Sequence, residues 1–127
     1  MLKSYEFGFE GQLLNFYPVI REYKSNNSLA IELYLLSDLG YELFDVISVN
    51  LDGFVRLESD LCFIDVNNSF HVSEFINKHQ LGQEVGVDFH QGFCKYPLYK
   101  FDLNKLNTFE DFDSYFMNKF LKLVRHN

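Results

Sequence analysis

Apolar and polar residues alternate in several stretches of residues 4–51, first at Tyr5, Phe7 and Phe9, and this period of two predicts β-strands that bury one face. Residues that favour turns interrupt the alternation near Glu10 and Gly11, at 25–28 and at 37–40. The segment is therefore expected to form a four-stranded antiparallel meander.

Two positions in this meander carry further expectations. Pro18 has no backbone N–H to donate, so its strand is expected to lie at a sheet edge or to contain a bulge. The third strand is expected to have an apolar face, with Glu32 and Tyr34 on the other face. The fourth strand is expected to run from about Tyr41 to Leu51.

A strand signal and a helix signal follow the meander. Residues 61–66 form a short apolar run rich in β-branched and aromatic residues, which predicts a buried fifth strand. A short helix is expected after Ser69, which can cap it, because apolar residues and His79 follow helical spacing from Val72. Gly82 stands where a left-handed residue ends such a helix, and the ring of His79 is expected to pack against the sheet.

The next segments are an irregular connection and a core strand. Residues 83–94 contain widely separated glycines and predict a connection without regular structure. Tyr99, Phe101 and Leu103 share one parity and are expected to fill the interior, whereas Lys100 is expected to face solvent.

A long amphipathic helix is expected at the C-terminal end, from Thr108 to about Arg125. Thr108 can cap the helix, and acidic residues in its first turns with basic residues near its end complement the helix dipole. The apolar stripe expected to pack on the sheet contains Phe109, Phe112, Phe116, Met117, Phe120, Leu121, Leu123 and Val124.

The composition sets the scale of the fold. The chain has 127 residues, 15 Phe and 8 Tyr, which is enough for one sizeable core without disulfides or metal. No internal repeat or linker divides the chain, so residues 1–127 are expected to form a single domain. The expected class is α+β: a mainly antiparallel sheet of about five to six strands, with a short central helix and a C-terminal amphipathic helix packed on it.

The cysteine usage and the apolar runs indicate the cellular compartment. Cys62 and Cys94 are interpreted as reduced thiols, because a secreted domain that depends on disulfides ordinarily carries more cysteines. The first residues lack the apolar core of a signal peptide, and no apolar run approaches the roughly 18 residues that span a bilayer. The chain is therefore expected to be cytoplasmic, without a membrane partner.

Few side chains suggest catalysis or metal binding. An enzyme or ligand-binding site around residues 88–94 would combine the Cys94 thiol with His90 and Asp88, but their spacing is not diagnostic. The histidines lack metal-ligand spacing, and the glycines do not form a phosphate-binding loop. A non-enzymatic protein with no cofactor and no metal is favoured, and the Cys/His site stays as the alternative.

The net charge argues against direct binding of nucleic acid. Lys95, Tyr96, Tyr99 and Lys100 combine rings that could stack on bases with cations that could neutralise phosphate. However, the formal net charge is −7 and the isoelectric point is about 4.9, whereas such proteins carry a concentrated basic face.

The acidic charge is concentrated between Ile31 and Val66, where eight carboxylates accompany one base, Arg56. The rest of the chain is neutral, since its ten acids and ten bases cancel. A surface that gathers the carboxylates would attract a basic partner, whereas dispersed carboxylates would serve solubility alone. The predicted partner-binding residues are Glu32, Asp38, Glu42, Asp45, Asp52, Glu58, Asp60 and Asp65.

Two stretches, CFIDVNNSFHVSEFINKHQLG at 62–82 and GFCKYPLYKFDL at 92–103, resemble a bacterial family catalogued as a domain of unknown function, number 4313. The resemblance covers roughly residues 28–103, and its most specific parts are the pair Asn67 and Asn68 and the run that begins at Gly92. Ser69 stands at a place where family members are expected to carry cysteine or proline. The resemblance implies no established activity.

The resemblance does imply a genetic context. Members of the family resemble small accessory proteins carried by plasmids, integrative elements and phages of Gram-positive bacteria. Small acidic proteins of this origin often occupy a basic surface of a host defence protein, and a CRISPR nuclease with its positively charged channel is one such target. The resemblance therefore implies an anti-defence inhibitor of the anti-CRISPR type, with a basic host protein that handles nucleic acid as its partner.

Overall fold

The structure is a computed structural model that describes residues 1–51, 57–67 and 70–125, with the backbone alone for residue 120 and residues 122–125. The fold is α+β, as predicted, and its strands form two sheets that are antiparallel apart from one short parallel pairing. The first sheet has the order β1 (Tyr5–Phe9), β2 (Gln12–Glu22), β3 (Leu29–Ser37) and β4 (Gly40–Val46). The second sheet has the order β5 (Ser48–Val49), β6 (Leu61–Ile64), β8 (Cys94–Phe101) and β7 (Gly82–Gln91).

The remaining elements connect and cover these sheets. Helix α1 spans Val72–Lys78, and helix α2 spans Phe109–Arg125. A 3-10 turn spans Leu103–Lys105, and β9 (Asn107–Thr108) pairs in parallel with β2. Neither helix has the length and apolar character needed to cross a lipid bilayer, within the residues that the structure describes.

The predicted four-stranded meander is confirmed by the order β1 to β4 and its antiparallel registers. The predicted fourth strand over 41–51 is wrong in its extent, because β4 ends at Val46 and β5 belongs to the second sheet. At this junction the Ile47 N–H donates to the Ile31 carbonyl, and the Ile31 N–H donates to Ser48 Oγ, each at 3.0 Å. The alternation of apolar residues continues through a change of sheet and therefore does not reveal it.

The expectation for Pro18 is wrong, because β2 lies inside the first sheet and its bulge-free register places Pro18 opposite Leu33. β1 pairs with β2 only as far as Phe16, and β9 begins opposite Val19. The Pro18 carbonyl accepts a hydrogen bond from the Asn107 side chain at 2.9 Å in this gap. An interior proline is tolerated because its missing N–H falls between two short neighbouring strands.

Three apolar clusters hold the layers together. The largest joins both sheets and α1, and includes the fully buried rings of Phe16 and Phe75, whose centroids lie 5.7 Å apart. The second lies between the other face of the first sheet and α2, where Phe112 contacts Tyr34 and Tyr41 at centroid distances of 4.9 and 5.0 Å. The third covers the outer face of the second sheet.

Helix α2 forms as predicted but buries a narrower face. The Asp111 N–H donates to Thr108 Oγ1 at 3.2 Å, which confirms the cap. Met117 and Leu121 are 43% and 46% exposed, although both were expected to pack on the sheet. The first sheet ends at Gly40, beneath Phe116, so the later turns extend beyond it. The predicted apolar side chains at 120, 123 and 124 lie outside the described part.

The ends of α1 differ from the prediction. His71 occupies the N-cap position, and the predicted cap, Ser69, lies outside the described residues. Gly82 is not the left-handed residue after the helix, since that conformation belongs to Gln80, with a φ of 53°. Gly82 instead begins β7, where a Cβ atom would lie 2.8 Å from the Lys100 carbonyl oxygen. Close pairing of β7 with β8 is therefore the physical reason for glycine at this position.

The predicted irregular connection at 83–94 is wrong, because β7 and β8 form a long antiparallel hairpin. Gly86 has a φ of 82° and lies in a register shift of β7, and Gly92 has a φ of 61° in the turn. These widely spaced glycines allow a bulge and a tight turn within a regular hairpin. Their spacing is therefore compatible with regular strands.

The predicted interior positions are confirmed for Tyr99 and Phe101, which are buried in β8, and Lys100 is exposed. Leu103 is half-buried and packs against the central cluster, but it lies beyond the strand in the 3-10 turn, so only its assignment to the strand is wrong. The prediction that the His79 ring packs against the sheet is confirmed, with its centroid 5.1 Å from that of the Tyr5 ring.

Candidate acidic surface

Four of the predicted partner-binding carboxylates lie on or beside β4, the edge strand of the first sheet. Asp38 is in the turn before β4, Glu42 and Asp45 are in β4, and Asp65 follows β6. The Asp65 N–H donates to the Ile47 carbonyl at 3.0 Å, which places Asp65 beside the end of β4. We term Asp38, Glu42, Asp45 and Asp65 the acidic edge.

Asp45 and Asp65 lie close enough for one charge to affect the other. Burial raises the pKa of Asp45, a hydrogen bond to the backbone of Val46 lowers it in part, and the Asp65 carboxylate raises it again. Asp65 is oriented by Asn67, whose backbone N–H and side-chain amide donate to Asp65 Oδ1 at 3.0 and 3.2 Å. A cation placed beside these two carboxylates would therefore lower the free energy of both.

Asp38 and Glu42 form the exposed end of the acidic edge. Among the described side chains, none of the ion pairs involves either residue. Leu39 and Leu43 alternate with them along the hairpin and are 96% and 47% exposed. This end of the edge therefore offers both negative charge and apolar surface to solvent.

Glu32 does not belong to the acidic edge, because it already has partners on the α2 side of the first sheet. It accepts a hydrogen bond from the Tyr34 hydroxyl at 2.7 Å and lies 3.7 Å from Arg21 Nη1. Arg21 also lies over the Phe109 ring, 4.0 Å from its centroid. Burial and the neighbouring Glu32 carboxylate raise the pKa of Tyr34 to about 12.

The last three predicted carboxylates also lie away from the acidic edge or outside the described chain. Glu58 and Asp60 precede β6, at the opposite end of that strand from Asp65. Asp60 lies 3.9 Å from Lys100 Nζ, and Glu58 is exposed. Asp52 is among the residues that the structure does not describe.

A cleft next to the acidic edge, lined by four leucines and by polar side chains, was not predicted. It has a volume of about 400 Å³ and lies where β2 and β3 separate. Leu13, at its rim, is 66% exposed. The signal in the sequence is two pairs of consecutive leucines, at 13–14 and 35–36, which break the period of two and supply apolar side chains on both faces.

The structure does not bring together the three residues of the alternative site around 88–94. His90 lies opposite Lys95 in the β7–β8 register, and Cys94 is the neighbour of Lys95 along β8. Since opposite residues share a face and successive residues alternate, Cys94 and His90 project from opposite faces of the hairpin. Asp88 lies 3.5 Å from Lys95 Nζ, in an ion pair across the two strands.

The other groups capable of such chemistry are also separated. Cys62 is buried, and this burial raises the pKa of its thiol, which disfavours the nucleophilic thiolate. Cys62 and Cys94 are both free cysteines. In the described ranges, no three His, Cys, Asp or Glu side chains lie close enough to hold a metal ion.

A family model matches most of the chain. Residues 19–122 match the model described as a domain of unknown function (DUF4313). This range begins within β2, ends within α2 and contains the whole acidic edge. No curated protein and no solved structure matches the chain.

Proposed function

The chain belongs to the DUF4313 family, as the resemblance of its sequence predicted, and we propose that it is a small non-enzymatic binding protein whose acidic edge binds a basic surface of another protein. The exposed carboxylates of Asp38 and Glu42 carry this proposal, since none of the ion pairs among the described side chains involves them and exposed leucines lie beside them. A basic surface of a partner would pair with these carboxylates and cover the neighbouring apolar side chains.

We propose further that the protein is encoded by a mobile element or phage and inhibits a cytoplasmic host defence protein that handles nucleic acid. A net charge of −7 suits a protein that occupies a basic channel, such as that of a CRISPR nuclease. The partner is bound without direct contact to nucleic acid, because the acidic edge repels phosphate. The family resemblance to accessory proteins of mobile elements supports this part of the proposal.

Two triple variants with the same change in net charge test the acidic edge. The first combines Asp38→Lys, Glu42→Lys and Asp65→Lys. The control combines Glu22→Lys, Glu74→Lys and Glu84→Lys, which alter exposed carboxylates on β2, α1 and β7. Circular dichroism establishes that both variants fold, and each protein is then used to capture basic proteins from bacterial host lysate at low and high salt.

The wild type is expected to retain a basic protein at low salt and to release it at high salt, because screening weakens exposed charge pairs. Retention by the acidic-edge variant is expected to fall at least about tenfold, which corresponds to a loss of about 1.4 kcal/mol. Equal loss in the control would show that net charge alone acts, and the proposed surface would then be wrong.

The inhibitor proposal has a separate test with a purified RNA-guided nuclease from the same host. The wild type is expected to slow cleavage of target DNA, and the acidic-edge variant is expected to lose this effect while the control triple variant keeps it. Absence of inhibition by the wild type, together with salt-sensitive capture of another basic protein, would refute the defence role and leave the binding role intact.

A further inference from the structure

β2 and β3 pair along only part of their lengths. Their shared register covers residues 17–22 of β2 and 29–34 of β3. Beyond it, residues 12–16 pair with β1 alone and residues 35–37 pair with β4 alone, within the described chain. The cleft of about 400 Å³ lies between these two unpaired strand ends.

Both hairpins pack on the central cluster below the cleft. Phe16 of the β1–β2 hairpin and Phe44 of the β3–β4 hairpin belong to this cluster, with ring centroids 4.8 Å apart. Leu36 and Tyr41 of the β3–β4 hairpin also belong to the cluster beneath α2. Because packed side chains hold both hairpins, the cleft is part of the packed fold and does not depend on a loop.

Both walls of the cleft are strand edges. A strand that is paired on one side has N–H and C=O groups on its other side that need partners, and an added strand can supply them. Neighbouring strands lie about 4.8 Å apart, so a single extended segment can pair with either wall. Strand addition of this kind is a recurring mode of peptide recognition.

The side chains in the cleft indicate the chemistry of its occupant. Leu13, Leu14, Leu35 and Leu36 supply an apolar lining, which favours apolar residues in the bound segment. Among the lining residues that the structure describes, Glu42 carries a negative charge and none carries a positive charge. Asp38 follows Ser37, a residue of this lining, along the chain and adds a second negative charge near the cleft.

We infer that the cleft receives an extended segment of the partner protein, with apolar residues at alternate positions and Lys or Arg at its ends, paired as a strand at the free edges of β2 and β3. This inference rests on the proposed function, because Asp38 and Glu42 of the acidic edge bind the basic ends of the segment. The proposed function names a basic partner, and the inference specifies the conformation and the sequence pattern of the segment by which that partner binds.

A library of nine-residue peptides with this pattern tests the inference, using fluorescence polarisation with the full chain. The tightest peptide is expected to slow amide hydrogen exchange at least tenfold at the alternate residues of 12–16 and 35–37 whose N–H groups face the cleft. Exchange at 17–22 and 29–34, where β2 and β3 already pair with each other, is expected to stay unchanged. The same peptide with alternate amides methylated keeps its side chains and charge, and it is expected to bind at least tenfold more weakly because it cannot pair as a strand.

A matched pair of variants locates the binding. Leu13→Lys places a like charge at the rim of the cleft and is expected to weaken binding of the peptide at least tenfold. Val85→Lys makes the same change at an exposed apolar position of β7, away from the cleft, and is expected to have less than a twofold effect. Equal effects of the two variants would overturn the inference.

The remaining outcomes separate this inference from the proposed function. Equal binding of the methylated peptide, or no binder in the library, overturns strand pairing, while the triple variants test the acidic edge independently. If protection at 12–16 and 35–37 instead rises with protein concentration without peptide, and sedimentation shows a dimer, a second copy occupies the cleft and the inferred occupant is wrong.

Discussion

The two sheets of this protein share one core but differ in how their other faces are covered. The first sheet packs against the central cluster on one face and against α2 on the other. Among the described residues, no helix packs on the outer face of the second sheet, and its edge strand β7 is exposed at most positions. The difference indicates that the second sheet draws its stability mainly from the central cluster, so its outer face can vary with less cost to folding. The acidic edge runs along β4 from its exposed start at Asp38 to the junction of the two sheets, where Asp65 follows a strand of the second sheet.

The largest expected effect compares two phenylalanines. Phe75 is fully buried between the sheets, and Phe75→Ala is expected to lower the free energy of unfolding by about 3–5 kcal/mol, since it leaves a cavity. Phe89 is partly exposed on the outer face of the second sheet, and Phe89→Ala is expected to cost about 1–2 kcal/mol. Urea unfolding measures both, and equal losses would contradict the uneven distribution of stability.

The next largest effect is expected at Ser48, where the chain passes from the first sheet to the second. Ser48 Oγ accepts a hydrogen bond from the buried Ile31 N–H at 3.0 Å and lies 2.9 Å from the Tyr23 hydroxyl. Ser48→Ala leaves this N–H without its acceptor, and the expected loss is about 1–3 kcal/mol. Ser59→Ala, at an exposed position, serves as the control and is expected to change stability by less than about 0.5 kcal/mol. A loss no larger than the control's would show that the junction is not held by Ser48.

The smallest expected effect is the change in the free energy of unfolding when Asp45 of the acidic edge loses its charge. The pKa of Asp45 is raised in the folded state, so protonation of this carboxyl stabilises the folded protein relative to the unfolded chain. This contribution to the free energy of unfolding is fully present below the unfolded pKa and is lost as the pH rises through the folded pKa. Asp45→Asn is therefore expected to raise the free energy of unfolding at pH 7 by less than about 1 kcal/mol. No gain is expected at pH 3, where the carboxyl is protonated in both states.

Thermal unfolding at both pH values tests this expectation, with Asp38→Asn as an exposed control from the same edge. A gain of equal size at pH 3 would show that charge at position 45 is not the cause. If Asp45→Asn also weakens capture of the basic partner, the Asp45 carboxylate both lowers the stability of the fold and contributes to binding. Such a trade-off is common at functional sites.

Local patterns were sufficient for several elements. The period of two with turn residues predicted the meander of β1 to β4, and Thr108 predicted the start of α2. Local patterns gave wrong predictions where the structural role of a residue depends on which residues lie near it in the folded protein. Pro18 predicts an edge strand or a bulge because the sequence does not show which strands lie beside it. The glycines at 86 and 92 predict an irregular connection because a bulge, a tight turn and a loop have similar compositions.

The candidate site divides in the same way. The sequence alone determined that the carboxylates are concentrated between Ile31 and Val66, that the chain is α+β and that it resembles its family. Only the tertiary structure decided that Asp45 meets Asp65, while Glu32 is bound by Arg21 and Asp60 by Lys100. The reason is physical: charge content is a property of the chain, but the distance between two charges depends on strand registers and on the layer against which each face packs.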